Sequence, residues 1–218
     1  MKKIFVDLEM HPINAKLRKQ MSLPQSETIE IGAVVLEEDG TISDRFQQYI
    51  HPDYVGQMRK YYVDLTGITD EMLVGTHHFP EAFADFLVWC GTDYEIYSWS
   101  MSDLEQIVQE MKVKQVPSTA ESDYMQAHWI DFQEEYDRYY HDDHVYSLQD
   151  AIANVGLNFK GRPHDGLTDA ENTAFLYTEM HDEESLKKMM SYRDGSAEAC
   201  TAPLFAGVDL KSLLGGSE

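Results

Sequence analysis

The chain has 218 residues, of which 17 are Lys or Arg and 39 are Asp or Glu, for a formal net charge of −22 at neutral pH. That balance excludes a tight general binder of nucleic acid working through a basic footprint, and the two cysteines, Cys90 and Cys200, form no disulfide framework and place the chain in a reducing, cytoplasmic setting. No stretch is long and apolar enough to span a bilayer, and the length fits one α/β domain with a sizeable core over about residues 1–182 and a C-terminal tail or docked helix over 183–218.

Lys2 and Lys3 lead directly into a strand, with no apolar signal segment after them. Over Lys2–Glu9, Ile4, Val6 and Leu8 alternate with Phe5, Asp7 and Glu9, which is the period of a β-strand. Asp7 and Glu9 therefore point the same way. Two carboxylates held side by side repel unless a cation lies between them, and hard, oxygen-seeking Mg²⁺ or Mn²⁺ suits that gap. A lone DxE triplet at a solvated strand end is spelled the same way. The segment Met10–Pro24 follows as a loop or short helix over the carboxylates. Strands at Thr28–Leu36 and Ile42–Ile50 are joined as a hairpin by an Asp39-Gly40 turn. Helices are expected at Asp70–Leu73 and Pro80–Cys90, the second with an apolar stripe of Phe79, Phe83, Phe86 and Leu87 that ends at Cys90.

Tyr94–Trp99 reads as a further strand, and Leu104, Ile107, Val108 and Met111 mark one face of a helix over Asp103–Met111. Asp103 stands where that helix begins, a place for an N-cap and equally for a carboxylate that holds metal-bound water. A strand at about His128–Asp131 leads to a helix through Tyr139, and another helix spans Leu148–Val155. The HDDH run His141–His144 has metal-ligand residue types but follows an acidic helix and reads as a loop. Pro163 stops what precedes it. Asp169–Met180 then reads as a helix, with Ala170, Thr173, Ala174, Leu176, Tyr177 and Met180 as its apolar or small faces. His164, five residues before Asp169, sets an imidazole beside a potential metal ligand. An imidazole, with an unperturbed pKa of about 6.5, suits proton acceptance near neutral pH, and a structural His–Asp pair fits the same spacing. Basic residues gather at Lys16, Arg18 and Lys19, at Arg59 and Lys60, and at Lys160 and Arg162, the last pair just ahead of His164. Trp99, Trp129 and the tyrosines offer rings for stacking on bases or for the core. Ser191–Glu218 mixes Gly, Ala and Ser with an apolar patch at Leu204-Phe205 and Val208 to Leu214.

The order of these segments, with DxE on a first strand, Asp after a later strand and His-x4-Asp leading into a late helix, resembles the DEDDh 3′–5′ exonucleases of the ribonuclease H-like superfamily. Within that family the chain looks most like the ERI-1 or 3′hExo-like branch. The resemblance runs through FVDLE and ETIEIGAVVL, the IHP of Ile50–Pro52, the DLTGIT of Asp64–Thr69, the WIDFQEEYDRYY of Trp129–Tyr140 and HDGLTDAENTA, and covers about Met1 to Met180. It implies an α/β fold with a ribonuclease H-like mixed five-stranded sheet flanked by helices. It also implies two Mg²⁺ or Mn²⁺ ions per site: residues matching Asp7, Glu9 and Asp169 ligate one, Asp7 bridges to the second, and Asp103 holds the second largely through water. His164 matches the general base. Thr66 and Gly67 lie in the stretch that lines the terminal-nucleotide pocket, and Met10 stands where many relatives carry a small residue or Thr. Trp99, Lys160 and Arg162 complete the expected substrate contacts. The implied activity is hydrolysis of single-stranded RNA 3′ ends to 5′-mononucleotides, with no membrane partner. A DNA exonuclease of the proofreading or repair type is the same chemistry on another sugar, and a non-catalytic nucleic-acid-binding domain is the reading from another class. The acidity of the chain predicts low affinity, strong salt sensitivity and a short substrate.

Overall fold

The computed structural model describes residues 1–140 and 145–195; the HDDH run, Cys200 and the Leu204–Leu214 patch lie outside them. A mixed sheet of five strands runs in the order β3-β2-β1-β4-β5. Strands β1 (Lys2–Pro12), β2 (Ser26–Leu36) and β3 (Ile42–Tyr49) form an antiparallel meander, and β4 (Tyr94–Ser98) and β5 (Trp129–Asp131) add in parallel on the other side of β1. This is the mixed five-stranded sheet expected from the sequence.

The alternation of β1 divides its side chains between two cores. Ile4, Val6 and Leu8 join Ile31, Ala33 and Val35 of β2 beneath α4 (Phe79–Cys90) and α5 (Ser102–Val113), which contribute Phe79, Phe83, Phe86, Ile107 and Met111. Phe5, Val34 and Leu36 face the opposite way, onto α7 (Phe132–Tyr140), α8 (Leu148–Asn154) and α9 (Gly166–His181). Helices on both faces of a sheet leave its central strands almost wholly apolar, and β2 is buried at every position from Glu27 to Leu36. Each fully buried large apolar side chain contributes on the order of 2 kcal/mol. A last helix, α10 (Glu183–Arg193), packs Met189 into the second core. Among the described residues no helix is long and apolar enough to cross a membrane.

Several boundaries differ from the sequence expectation. β1 does not stop at Glu9 but runs to Pro12, because Met10, His11 and Pro12 keep pairing with Thr28, Glu27 and Ser26 past an irregularity in the ladder. The segment after Glu9 is therefore strand first and only then the short helix α1 (Ala15–Met21), started by Asn14, whose side chain accepts the Lys16 amide at 2.9 Å. Helices α2 (Lys60–Thr66) and α6 (Ala120–Ala127) were not anticipated, whereas the four-residue α3 (Asp70–Leu73) was. α9 begins at Gly166, three residues before Asp169, because the Asp165 side chain caps it by accepting the Thr168 amide.

Candidate active site

Strands β1 and β4 are paired only as far as Phe5 and Tyr97. Beyond them β4 gives way to α5, and the crevice between parting parallel strands is where α/β sheets bind ligands. Asp103, in the first turn of α5, enters that gap and accepts the Leu8 amide on Oδ1 at 3.1 Å. Its carboxylate therefore fills a ladder position that no strand occupies, and the helix cap falls to Met101 instead.

Asp7 and Glu9 share the face of β1 that α9 approaches. The approach is close at Gly32, where an added Cβ would lie 2.1 Å from the Gly166 carbonyl carbon. A side chain there would hold the helix off the sheet. The contact is pinned by Glu30, which is fully buried and accepts the Gly166 amide at 3.2 Å and the Gln47 side-chain amide at 2.7 Å. Asp169, less than one turn into α9, is thereby set against Asp7 and Glu9. His164 precedes the helix with φ at 62°, a left-handed conformation uncommon for a residue with a side chain. It is exposed, and its backbone amide donates to Asp169 Oδ2 at 3.1 Å. One ligand atom from each of Glu9, His164 and Asp169 lies within 4.8 Å of the other two.

Burial and mutual repulsion hold these carboxyl groups far above their ordinary range. Glu9, 7% exposed, is pushed up to about 8, by burial first and then by Asp169 and Glu30. Asp103 and Asp169 are raised to about 7 by burial, against the pull of the Leu8 and His164 amides. Asp7 is raised well above the carboxylate range by burial and by Asp103 and Asp169. Asp169 Oδ1 is buried with no hydrogen-bond partner among the described residues. A partnerless buried oxygen within a set of repelling carboxylates fits an oxygen-seeking divalent cation.

The five residues Asp7, Glu9, Asp103, His164 and Asp169 thus converge. The expected substrate contacts are more scattered. Met10 is half-buried against the first core. Thr66 is buried, with its hydroxyl donating to the Tyr62 carbonyl and accepting the Ile68 amide. Gly67 touches Arg162, whose guanidinium donates to the Asp64 and Leu65 carbonyls at 3.0 and 3.1 Å, so this arginine braces the His164 loop against the end of α2. Lys160 lies over the Phe175 ring at 3.4 Å, beside the β3–α9 groove. Trp99 is not a stacking platform: it is buried against Phe132 and Tyr136 and donates its indole N–H to the Tyr146 carbonyl. Glu30 is the member of the acidic cluster that the sequence reading passed over, although a charged residue inside the apolar run Thr28–Leu36 was a usable signal.

The exonuclease family model RNase_T matches residues 4–177. The 3′-5′ exoribonuclease 1 of Rattus norvegicus is 29% identical over 166 residues, covering 71% of this chain and 46% of that protein. The chain thus spans about half the length of the curated relatives it matches. The nuclease domain of 3′hExo, a DEDDh family member, bound to rAMP, superposes with a TM-score of 0.67 at 24% identity, over 82% of this chain and 90% of that one. Pop2p of S. pombe in its Mg²⁺- and Mn²⁺-bound form gives 0.59 at 18% identity, over 83% of each chain. The fold is accordingly ribonuclease H-like.

Proposed function

Starting from the fact that the chain belongs to the RNase_T exonuclease family, we propose that it is a metal-dependent 3′–5′ exonuclease that shortens single-stranded RNA from its 3′ end and releases 5′-mononucleotides. The observation that carries this reading is the acidic cluster of mutually repelling, buried carboxyl groups with its partnerless Asp169 oxygen, a donor set that suits a divalent cation. Asp7, Glu9 and Asp169 would hold one Mg²⁺ or Mn²⁺ ion, and Asp7 and Asp103 a second. When bound, two such ions neutralise charge on the scissile phosphate and leaving 3′-oxygen and make the attacking water more acidic.

The remaining work falls to side chains of this chain. His164, exposed at the mouth beside Glu9 and Asp169, takes the proton of the attacking water on a ring nitrogen. The Asp169 carboxylate fixes the His164 backbone, and Arg162 ties the same loop to α2. Met10, Thr66 and Gly67 would border the terminal nucleotide. The choice of RNA is supported by the names of the relatives, which are exoribonucleases, and by the adenosine monophosphate in the 3′hExo structure. A cytoplasmic setting accords with Cys90, a buried thiol that burial pushes up to about 12 and that serves packing.

The test is digestion of 5′-labelled RNA and DNA oligonucleotides side by side with Mg²⁺ or Mn²⁺. A descending ladder is expected, faster on RNA, with no products in Asp7→Ala and a loss of about 100-fold or more in His164→Ala. Oligonucleotides that are bound but left intact would favour a non-catalytic binding domain, and faster loss of DNA would reverse the sugar assignment.

A further inference from the structure

Past Glu9, β1 continues to His11 and Pro12, and these residues open a cleft of about 470 Å³ between α1 and the segment Tyr54–Arg59. Its lining includes two arginines, Arg18 and Arg59, and no carboxylate. That is unexpected in a chain with 39 acidic and 17 basic residues. The four other clefts described in the molecule all expose Asp or Glu alongside their lysines or arginines.

Arg59 is set in place. The Arg59 amide donates to His11 Nε2 at 3.0 Å, its guanidinium donates to the Pro12 carbonyl at 2.7 Å, and it lies 5.3 Å from the centre of the Tyr62 ring. His11, 1% exposed, gives its Nδ1 hydrogen to that same carbonyl, so both ring nitrogens are spent on holding the cleft wall. Arg18 differs: its Nε is buried and has no hydrogen-bond partner among the described residues. The opposite wall is fixed by Glu27, whose carboxylate accepts the amides of Asp53, Tyr54 and Val55 at 2.7–2.8 Å. A fixed Arg59 and an Arg18 with an unspent donor, in a lining without carboxylates, form a donor set for a phosphate.

The cleft adjoins the acidic cluster. The ladder irregularity adds a residue to β2, pairing Glu9 with Glu30 and Met10 with Thr28, so β1 keeps its alternation and His11 lies on the same side as Asp7 and Glu9. Two strand residues span roughly 7 Å. We propose that Arg18 and Arg59 form a phosphate subsite for the substrate strand, taking a phosphodiester on the 5′ side of the bond that is cut. This rests on the exonuclease reading for the direction of the strand: the terminal nucleotide of a free 3′ end carries only the phosphate that is cut, so any further phosphate lies on the 5′ side.

The experiment compares wild type with Arg18→Gln, Arg59→Gln and Arg18→Lys on RNA of two and of eight nucleotides, by steady-state kinetics and by anisotropy of the octamer on an Asp7→Ala background. Each glutamine variant should raise the octamer KM about tenfold, about tenfold more than it affects the dinucleotide, with Arg18→Lys in between. The slope of log kcat/KM against log salt should flatten by about one per arginine removed. If wild type cuts both lengths and the variants match it in octamer KM and slope, or lose equally on both lengths, the subsite falls and the exonuclease reading stands. If wild type cuts neither, yet the arginine variants still weaken octamer binding about tenfold, the cleft stands as a nucleic-acid site and the exonuclease reading falls.

Discussion

The two carboxylate oxygens of Asp169 have different lives: Oδ2 accepts the His164 amide, and Oδ1 is buried without a partner. Asp7, Glu9 and Asp103 share its predicament of burial among like charges. Carboxyl groups raised in the fold bind protons that the unfolded chain has released, so their contribution to stability is full below about pH 4. It is lost as pH climbs through about 7 and 8, where Asp103, Asp169 and Glu9 ionise in place. Thermal melting in EDTA and in Mn²⁺ reads this directly. The ion should raise Tm at about pH 8, less so at about pH 5.5 where protons do the same work, and Asp169→Asn should raise Tm in EDTA at the higher pH. A Tm indifferent to divalent ions would contradict the assignment. The converging residues were legible because strand alternation aims Asp7 and Glu9 together, while the chain order supplies Asp103, His164 and Asp169. Trp99 was misread because the rings that enclose it, Phe132 and Tyr136, stand more than 30 positions away and leave no local pattern.

At the scale of elements, the site depends on a helix end touching a strand. Gly32→Ala would place a methyl group inside the first turn of α9. We expect a loss of about 1–3 kcal/mol from overpacking, seen in chemical denaturation. Turnover should fall by more than the folded fraction does, because Asp169 and the His164 loop move together with α9; normal turnover would show that the helix end accommodates the methyl at no cost to the site. Nothing local in the sequence marks Gly32 as a contact, since its partner lies 134 residues on. The hairpin of β2 and β3 was readable from alternation and turn residues, including Gly40 with φ at 81° between them, whereas the order of the strands across the sheet was not. α6 was overlooked despite a capping box, with Thr119 and Ser122 each bonding the other's backbone. The extension of β1 to Pro12 was illegible because it depends on pairing with Ser26–Thr28, not on its own composition.

Taken whole, a strongly acidic molecule keeps one of its cations almost out of solvent. Lys114, 4% exposed at its side chain, reaches Glu27, Asp53 and Glu110 at 3.0–3.2 Å, and Glu27 and Glu110 are themselves fully buried. Its pKa is raised, the three carboxylates outweighing burial. No sequence pattern foretold this group, whose members come from β2, the loop after β3 and the end of α5. Lys114→Ala strands those carboxylates and should cost about 3–5 kcal/mol of global stability, measurable as a shift in denaturant midpoint; a shift near zero would mean that they are relieved by solvent. α5 carries Asp103 in its first turn and Glu110 in its last, with Lys114 just beyond. A rod of twelve residues, roughly 18 Å long, thus joins the parting of β1 and β4 to the wall that Glu27 fastens. One end of this helix thus sets Asp103 in the acidic centre and the other meets the carboxylate that holds the Asp53–Val55 wall of the arginine cleft, so a tilt of α5 would be felt at both places.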